Sequence, residues 1–367
     1  MNLLIVTGER SAENYASLLV DELSKIDSSI NFFSVCSDTL KDKTKQVANF
    51  KDISVIGAKE ALSIANKAYK LLNNIKSNII EYKIDMVILM DFPEFNMKIM
   101  KFAKKLGKKV VYYISPQLWA WRRYRINALF KYSDLIIPIL PFEKTFFNVK
   151  KPNQHKIFYA GHPIVDILTK QTTQEEVRED IILIMPGSRK SEINYNSKTM
   201  FEAAKIINNN VNDFKFIWIV PKHIEMDFVK DKLKGYEFIQ IEQDSYAFMK
   251  KSYFGILKSG TTTLEATLFN LPMVVSYRIS KASYYIGKML IKNIKYISLP
   301  NLIYGDEVVK ELIEEKATAQ AIADEFFRLH RNQSLYKEMQ NKLKSVSFVL
   351  GEYPVTQKIA KKIYSIA

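Results

Sequence analysis

The sequence has little of several features that define whole classes of protein. Cys36 is the only cysteine among 367 residues, which excludes an intramolecular disulfide and a cysteine-based metal cluster. No run reaches ~18 uninterrupted apolar residues, so we expect no membrane-spanning helix. The chain starts on an apolar run without the basic region of a signal peptide. These absences predict a protein of a reducing compartment that is soluble or attached to a membrane surface.

Motifs for metal-assisted phosphate chemistry are also missing. The sequence contains no Asp-x-Asp pair and no Walker-type loop, and its four histidines are too widely separated to share a metal. The turn at Gly8 carries one glycine and lacks the spaced glycines of a dinucleotide fingerprint. We therefore expect no metal and no cofactor, and any bound phosphate would be met by arginine side chains and helix N-termini.

Positive charge is in excess, with 54 basic and 39 acidic residues and a net charge of +15. This balance favours anionic partners such as phosphorylated substrates, anionic lipid surfaces or nucleic acid. Charge alone does not choose among them.

Short apolar runs alternate with longer amphipathic segments, which is typical of parallel, doubly wound α/β sheets. The pattern pauses at the polar stretch 166–180 and then restarts, so we predict two Rossmann-like domains joined near residues 168–180. Periodicity does not decide which domain the last helix, after the break at 351–354, packs on. The predicted strands are Leu3–Thr7, Asn31–Val35, Met86–Met90, Lys109–Ile114, Leu135–Ile139, Ile157–Tyr159, Ile181–Met185, Phe214–Ile219, Phe238–Ile241, Gly255–Leu257 and Met273–Tyr277.

Two turns in the second half fit a nucleotide diphosphate. Residues 259–261 join an apolar run to a helix, so backbone N–H groups at the positive helix end are free to meet phosphate. The carboxylate of Glu265, one turn later, can accept hydrogen bonds from a ribose diol. Gly187 and Arg189 follow the strand ending at Met185, where a glycine allows close approach and an arginine offers forked donors. The alternatives are an ordinary capped helix and a surface arginine.

The first half offers a site of another kind. Asp91 directly follows the predicted strand Met86–Met90, where a general base can lie at the edge of the sheet. The alternative is that Asp91 caps the next helix or pairs with a lysine. If the turn at Gly8 adjoins it, Glu9 would orient Asp91.

Aromatic residues and arginines are concentrated in residues 115–125, which contain Trp119, Trp121 and three arginines. Such a segment can stack on nucleic acid bases, hold an amphiphile with an anionic head, or pack a helix start. Nucleic acid is disfavoured because no recognised binding module surrounds it.

Two segments have the pattern of an interfacial helix. Residues 277–292 mix lysines, tyrosines and aliphatic residues at helical spacing, and residues 60–82 are punctuated by lysines in the same way. A core-facing helix with a solvated lysine face has the same pattern, so both interpretations stay open.

Assembled in order, these residues resemble the lipid-A-disaccharide synthase family of inverting GT-B glycosyltransferases, over nearly the whole chain. The Trp-Ala-Trp-Arg block at 119–122 and the Ser-Leu-Pro-Asn block at 298–301 are specific to that family, whereas the Ser-Gly-Thr…Glu block at 259–265 is more widespread. Further matching blocks lie at 8–11, 91–96, 113–116, 140–144, 161–163, 186–189 and 272–278.

The resemblance implies that UDP-2,3-diacylglucosamine is joined to 2,3-diacylglucosamine 1-phosphate, giving a β-1,6 disaccharide 1-phosphate and UDP. It implies a GT-B fold of two Rossmann-like domains facing a central cleft. Residues 1–168 would bind the acceptor, 169–350 the UDP-sugar, and 351–367 would form a helix returning to the first domain. It also implies a Gram-negative enzyme, peripheral on the cytoplasmic face of the inner membrane, with anionic lipid and no nucleic acid as partner and a homodimer left open.

Carried over residue by residue, the resemblance assigns roles at the site. Asp91 is the expected general base, with Glu9 beside it. The expected donor ligands are Ser188, Arg189, Ser259, Gly260, Thr261 and Asn301 for the diphosphate and Glu265 for the ribose. The expected acceptor-binding residues are Ser11, Asn96, Trp119, Trp121, Arg122 and Arg125.

Departures from the family pattern fall at Arg10, Ala12, Glu13, Phe92 and Glu94, and the last two would reshape the acceptor or acyl pocket. The alternatives are another UDP-sugar-dependent GT-B enzyme, such as a peptidoglycan-type transferase or a UDP-N-acetylglucosamine epimerase, and a noncatalytic lipid- or nucleic-acid-binding protein.

Overall fold

A computed structural model describes residues 1–8, 10–37, 39–49, 61–151, 155–169, 177–279 and 295–367. The chain divides into two compact units. The first comprises Met1–Ile167 together with Leu350–Ala367, and the second comprises Leu168–Val349. The C-terminal segment thus belongs to the first unit.

The described residues of the first unit form a six-stranded parallel sheet in the order β3-β2-β1-β4-β5-β6. The central strand β4 is buried along its whole length, as expected for an unbroken Val/Ile/Leu/Met run covered on both faces. The strands are β1 Asn2–Val6, β2 Asn31–Val35, β3 Lys45–Ala48, β4 Met86–Met90, β5 Lys109–Tyr113 and β6 Leu135–Ile137.

Helices follow these strands in the α/β alternation that the sequence predicts. The helices are α1 Arg10–Ile26, α2 Ala61–Glu81, α3 Pro93–Lys105, α4 Ile126–Tyr132, α5 Pro141–Lys150, α6 Ile164–Thr169 and, after the second unit, α14 Val355–Tyr364. A short 3₁₀ turn, Arg123–Arg125, precedes α4. Helix α14 packs against α1, and its buried residues include Ile359 and Ile363.

The second unit repeats this architecture. Its described residues form a six-stranded parallel sheet in the order β12-β11-β10-β7-β8-β9. The strands are β7 Glu179–Met185, β8 Lys215–Ile219, β9 Ile239–Glu242, β10 Ser252–Lys258, β11 Met273–Tyr277 and β12 Lys310–Ile313. The helices are α7 Lys190–Asn210, α8 Met226–Leu233, α9 Ser245–Lys251, α10 Thr261–Leu268, α11 Leu299–Tyr304, α12 Ala319–His330 and α13 Gln333–Val349, with a 3₁₀ turn at Glu314–Lys316.

Each sheet has one point where the strand order reverses. In the first it lies between β1 and β4, and in the second between β7 and β10. Open parallel sheets of this Rossmann order bind ligands outside the carboxyl ends of the strands at that point. The prediction of two doubly wound α/β units is confirmed, and the topology directs attention to the four turns after β1, β4, β7 and β10.

Apart from small shifts in strand limits, three strands differ from the strand prediction. The edge strands β3 and β12 were not predicted, because each is a four-residue segment of mixed polarity without an apolar run. The predicted strand Ile157–Tyr159 is reduced to one bridge between Ile157 and Ile136.

No helix among the described residues is both long enough and apolar enough to cross a membrane.

The junction between α6 and α14 depends on one buried carboxylate. Asp166 is 4% exposed, and its two oxygens accept hydrogen bonds from the backbone N–H groups of Val355 at 2.7 Å and Thr356 at 2.5 Å. It therefore caps the N-terminus of a helix that lies 189 residues further along the chain.

We predict that Asp166→Ala lowers the free energy of local opening of α14 by about 2–4 kcal/mol, because two buried N–H donors lose their acceptors. Hydrogen exchange of the amides in Val355–Tyr364 measures the loss locally, without assuming that both units unfold together. Asp231→Ala, which removes an exposed carboxylate from the second unit, is the control. It should change the opening free energy of the α14 amides by about 0.5 kcal/mol or less. Unchanged protection of α14 in Asp166→Ala would contradict this role.

Candidate functional site

Asp91 lies at the carboxyl end of β4, at the switch point of the first sheet. Asp91 and Phe92 both have left-handed backbone conformations, with φ of 51° and 48°. The turn is held from below, because the buried side chain of Asn96 donates to the carbonyls of Met90 at 3.2 Å and Asp91 at 2.7 Å. The hydroxyl of Tyr112 also donates to the Asp91 carbonyl at 3.0 Å. The backbone of the predicted base is therefore fixed on several sides.

The turn after β1 adjoins the turn after β4. A Cβ placed on Gly8 would come within 2.4 Å of the Phe92 Cβ, so only glycine fits beneath this side chain. The adjacency required for Glu9 to act on Asp91 is thus present in the backbone, but Glu9 itself lies outside the described residues. Ser11 lies in the first turn of α1 and is partly exposed.

Backbone strain is concentrated at this edge of the first sheet. Ile114, whose carbonyl accepts from the Asp91 N–H at 3.2 Å, has a φ of 63°, and Arg122 has a φ of 51°. Left-handed conformations of residues other than glycine cost about 1–3 kcal/mol each and gather at functional sites. Their grouping after β4 and β5 supports a functional role for this edge.

The two arginines predicted to bind the acceptor phosphate both contact a carboxylate of their own chain. Glu94, in the first turn of α3, forms an ion pair with Arg122, and its other oxygen lies 2.8 Å from an Arg125 guanidinium nitrogen. The guanidinium of Arg122 also lies 4.6 Å from the centre of the Trp121 ring. Glu94 is one of the departures from the family pattern, and the structure brings it together with this arginine pair.

Arg125 and Asp91 both influence the pKa of Tyr112. Burial and the nearby Asp91 carboxylate raise the pKa of Tyr112, whereas the positive charge of Arg125 opposes that shift. The arginine pair therefore lies close to the turn that carries the predicted base.

Trp119 is anchored by a buried acid rather than left open to a ligand. Its Nε1–H donates to Glu143 Oε1 at 3.2 Å, and its ring makes an edge contact with Phe142. The other Glu143 oxygen accepts from the N–H groups of Ile139 and Leu140 at the start of α5. Burial raises the pKa of Glu143 to about 7, although these hydrogen bonds act in the opposite direction.

In the second unit, the turn after β7 closes around Glu192. Gly187 has a φ of 141°, and a Cβ there would approach the Glu192 Cβ to 2.4 Å, so this position requires glycine. Glu192 Oε2 accepts the N–H groups of Ser188 at 2.9 Å and Arg189 at 3.4 Å. The side chains of Ser188 and Arg189 are exposed at this edge, as a diphosphate-binding role requires.

Lys258 is a residue of this region that the sequence reasoning missed. It ends β10 and places its Nζ 3.1 Å from Glu192 Oε1. Burial alone would raise the pKa of Glu192, but Lys258 and the two backbone donors outweigh it and hold the pKa below its usual value. A lysine at the end of a buried strand, directly before residues 259–261, was the available signal.

The turn after β10 has the form expected of a phosphate-binding helix start. Gly260 precedes α10, and Thr261 is exposed at its first position. Ser259 is nearly buried, and its hydroxyl donates to the carbonyl of Ile297 at 3.0 Å. Glu265, one turn into α10, accepts from the Tyr246 hydroxyl at 3.0 Å, and burial raises the pKa of its carboxyl group.

Asn301 is fully occupied by its own chain. Its Nδ2 donates to the Val309 carbonyl at 2.8 Å and Glu311 at 2.9 Å, and its Oδ1 accepts from Val308 and Val309. These four bonds exhaust the hydrogen-bonding capacity of an amide, and the residue is fully buried. Asn301 therefore anchors the segment beside Ser259, and contact with a diphosphate would require one of these bonds to break.

The two segments with an interfacial pattern differ in how far the structure describes them. Residues 280–294, most of the segment predicted at 277–292, lie outside the described residues. Helix α2 buries Leu72, Ile75 and Ile79, whereas Tyr69 and Ile80 are 63% and 60% exposed. Contact of α2 with a membrane stays a prediction.

Two units, each with a parallel sheet of Rossmann strand order and one switch point, have the architecture of the GT-B class. Residues 3–366 match the family described as lipid-A-disaccharide synthetase. The chain is 33% identical to the lipid-A-disaccharide synthase of Sulfurihydrogenibium sp. (strain YO3AOP1), covering 99% of this chain and 98% of that protein. It is also 33% identical to that of Persephonella marina, with the same coverage. The chain belongs to the lipid-A-disaccharide synthase family.

Solved structures share the fold at low identity. S. aureus MnaA, solved with UDP, has a TM-score of 0.70 at 15% identity and covers 100% of this chain and 96% of that one. MurG of Acinetobacter baumannii has a TM-score of 0.60 at 13% identity, with 99% of both chains covered. The predictions of the fold class, the family and an enzyme are confirmed, whereas the roles of individual site residues stay predictions.

We predict that the Glu143 carboxyl titrates near pH 7 and that Trp119 fluorescence reports it, because the indole N–H donates to this group. The folded-state pKa is raised from 4.5, so this group lowers the stability of the fold as pH rises from 4.5 to about 7. The fluorescence transition should vanish in Glu143→Gln and in Trp119→Phe. A transition near pH 7 that persists in Glu143→Gln would contradict the assignment.

Proposed function

We propose that this chain transfers 2,3-diacylglucosamine from UDP to the 6-hydroxyl of 2,3-diacylglucosamine 1-phosphate with inversion. A bond forms between the acceptor oxygen and the anomeric carbon, while the bond from that carbon to the β-phosphate oxygen breaks. The electron pair leaves with UDP, and the hydroxyl proton passes to Asp91. One carboxylate suffices, since no covalent intermediate forms.

The observation that carries the proposal is the construction of the Asp91 turn. Asp91 stands at the switch point of the first sheet in a strained conformation, and Asn96, Tyr112 and Ile114 all hold its backbone. Strain fixed by several independent contacts supports a positioned general base better than a simple helix cap.

The second unit supplies the donor side of the proposal. Arg189 and the N-terminus of α10 offer positive charge to the diphosphate, and Glu265 offers a carboxylate to the ribose. Prearranged donors of this kind stabilise a leaving diphosphate without a metal. Asn301 acts indirectly, by anchoring the segment whose Ile297 carbonyl accepts a hydrogen bond from Ser259.

In the first unit, Arg122 and Arg125 hold the acceptor phosphate, with Trp119 and Trp121 shaping its surroundings. Glu94 occupies both arginines in the free protein, so the phosphate must displace a carboxylate. A phosphate monoester carries more negative charge than a carboxylate at neutral pH and forms forked hydrogen bonds to arginine. The displacement therefore favours a phosphorylated acceptor over a neutral glycolipid.

The membrane part of the proposal rests on charge and exposed apolar side chains. A net charge of +15 attracts a protein to anionic lipid, and Tyr69 and Ile80 of α2 are exposed beside lysines. We place the enzyme peripherally on the cytoplasmic face of the inner membrane, where lipid-linked substrates of this kind lie.

The remaining alternatives are a peptidoglycan-type transferase and a UDP-N-acetylglucosamine epimerase. Structures of both kinds share this fold, but at 16% identity or less they support the fold alone. The family match over residues 3–366 favours the synthase.

We predict that Glu94→Gln lowers the KM for the phosphorylated acceptor by about two- to fivefold, the value of one exposed ion pair. The KM for the UDP-sugar should not change. Glu352→Gln, which removes an exposed carboxylate elsewhere in the first unit, is the matched control. A raised acceptor KM in Glu94→Gln would mean that the carboxylate positions the arginines for the phosphate, and the displacement model would be wrong.

We predict that the purified protein forms the disaccharide 1-phosphate from both substrates in detergent with EDTA present, as measured by mass spectrometry. Asp91→Asn should lower kcat by about 10²- to 10⁴-fold, because an amide takes up no proton. Asp85→Asn, at the amino end of the same strand, should retain activity. No product from a folded, UDP-binding protein would move the substrate assignment to the alternatives, and full activity of Asp91→Asn would remove Asp91 as the base.

A further inference from the structure

Lys258 occupies an unusual place for a lysine. It is the last residue of β10, a strand buried along most of its length, and its side chain is only 17% exposed. The adjacent strand β7 ends at Met185, and the two strand ends flank the switch point of the second sheet. A cation sheltered from solvent at this point acts on a ligand with less screening than an exposed lysine would.

The ammonium group of Lys258 connects the two turns that we assign to the diphosphate. It contacts Glu192, whose second oxygen accepts the N–H groups of Ser188 and Arg189 in the turn after β7. It also lies 3.8 Å from the position that a Cβ on Gly260 would take, in the turn after β10. Nζ is therefore beside both turns at once.

We propose that Lys258 is a further catalytic residue, which contacts the diphosphate of the sugar nucleotide and stabilises the charge that UDP acquires as it leaves. This inference rests on the proposed function. As the bond between the anomeric carbon and the β-phosphate oxygen breaks, that oxygen takes the electron pair, and the fixed ammonium group offsets its charge. No proton transfer from Lys258 is needed.

Glu192 holds the Lys258 ammonium group in place and leaves some of its N–H donors for a ligand. One carboxylate oxygen contacts Nζ, and an ammonium group has three donors, so a phosphate oxygen can be accepted beside Glu192. The ring of Tyr277, with its centre 5.4 Å from Nζ, limits the side chain from another direction. The lysine is therefore positioned before the ligand arrives, which lowers the entropic cost of the contact.

The test compares the affinities of UDP and uridine by calorimetry in the full-length protein. Lys258→Met should weaken UDP binding by roughly 10- to 100-fold, the usual value of a hydrogen bond to a charged group. It should leave uridine binding unchanged, because uridine has no phosphate. Lys258→Arg should restore much of the UDP affinity. Lys215→Met, which removes a charge from the amino end of β8, is the matched control and should bind both ligands normally.

A Glu192→Gln background separates direct contact from an effect passed through the carboxylate. If Lys258 touches the diphosphate, Lys258→Met weakens UDP binding in this background as well. If the loss disappears there, Lys258 acts only by holding Glu192, and the inference is overturned. Equal UDP affinity of Lys258→Met and the original protein overturns the inference but leaves the proposed function standing. Failure of the original protein to bind UDP overturns both.

Discussion

Parallel strand pairing is the constraint on which the rest of each unit depends. Because every pair in both sheets is parallel, all strands of a sheet end at the same edge, and the following helices start there with their positive ends. The reversal of strand order then brings two turns together with no helix crossing between them. This explains why Gly8 must be a glycine, since it lies against the side chain of Phe92 in the turn after β4. Gly187 must be a glycine for a local reason, because the helix that follows its own turn brings Glu192 against it.

The same constraint accounts for a shared electrostatic arrangement. Glu94 and Glu192 both lie in the first turn of the helix that follows a switch-point strand, and each holds groups suited to an anion. Positive groups gathered at one edge repel one another and stay mobile unless a counter-charge is present. A carboxylate from the adjacent helix supplies that charge and orients the donors. On the proposed function, a phosphate would displace Glu94 from its arginines and would be accepted beside Glu192, and in neither case would it have to order a disordered cluster.

Most of the fold could be predicted from the sequence, because buried parallel strands are continuous apolar runs and the helices between them are amphipathic. Strands β2, β4 and β11 match their predicted limits residue for residue. The missed strands β3 and β12 are edge strands, whose pairing on one side leaves their sequence largely unconstrained. The position of α14 could not be predicted from periodicity and was expected only from the family resemblance, because its anchor, Asp166, becomes its neighbour only through the fold.

The site could be predicted only as a set of turns. A motif gives the position of a side chain in the chain, but hydrogen bonding decides whether that side chain is available to a ligand. Asn96 and Asn301 belong to the motifs that identify the family, yet both are fully buried. The Asn96 amide nitrogen donates to the backbone of the Asp91 turn, and the Asn301 amide bonds to Val308, Val309 and Glu311. Lys258 belongs to none of the motif positions, yet its ammonium group lies beside two of the turns. Motif membership therefore does not separate residues that make a turn rigid from residues placed to contact a ligand, and only the hydrogen-bond partners do.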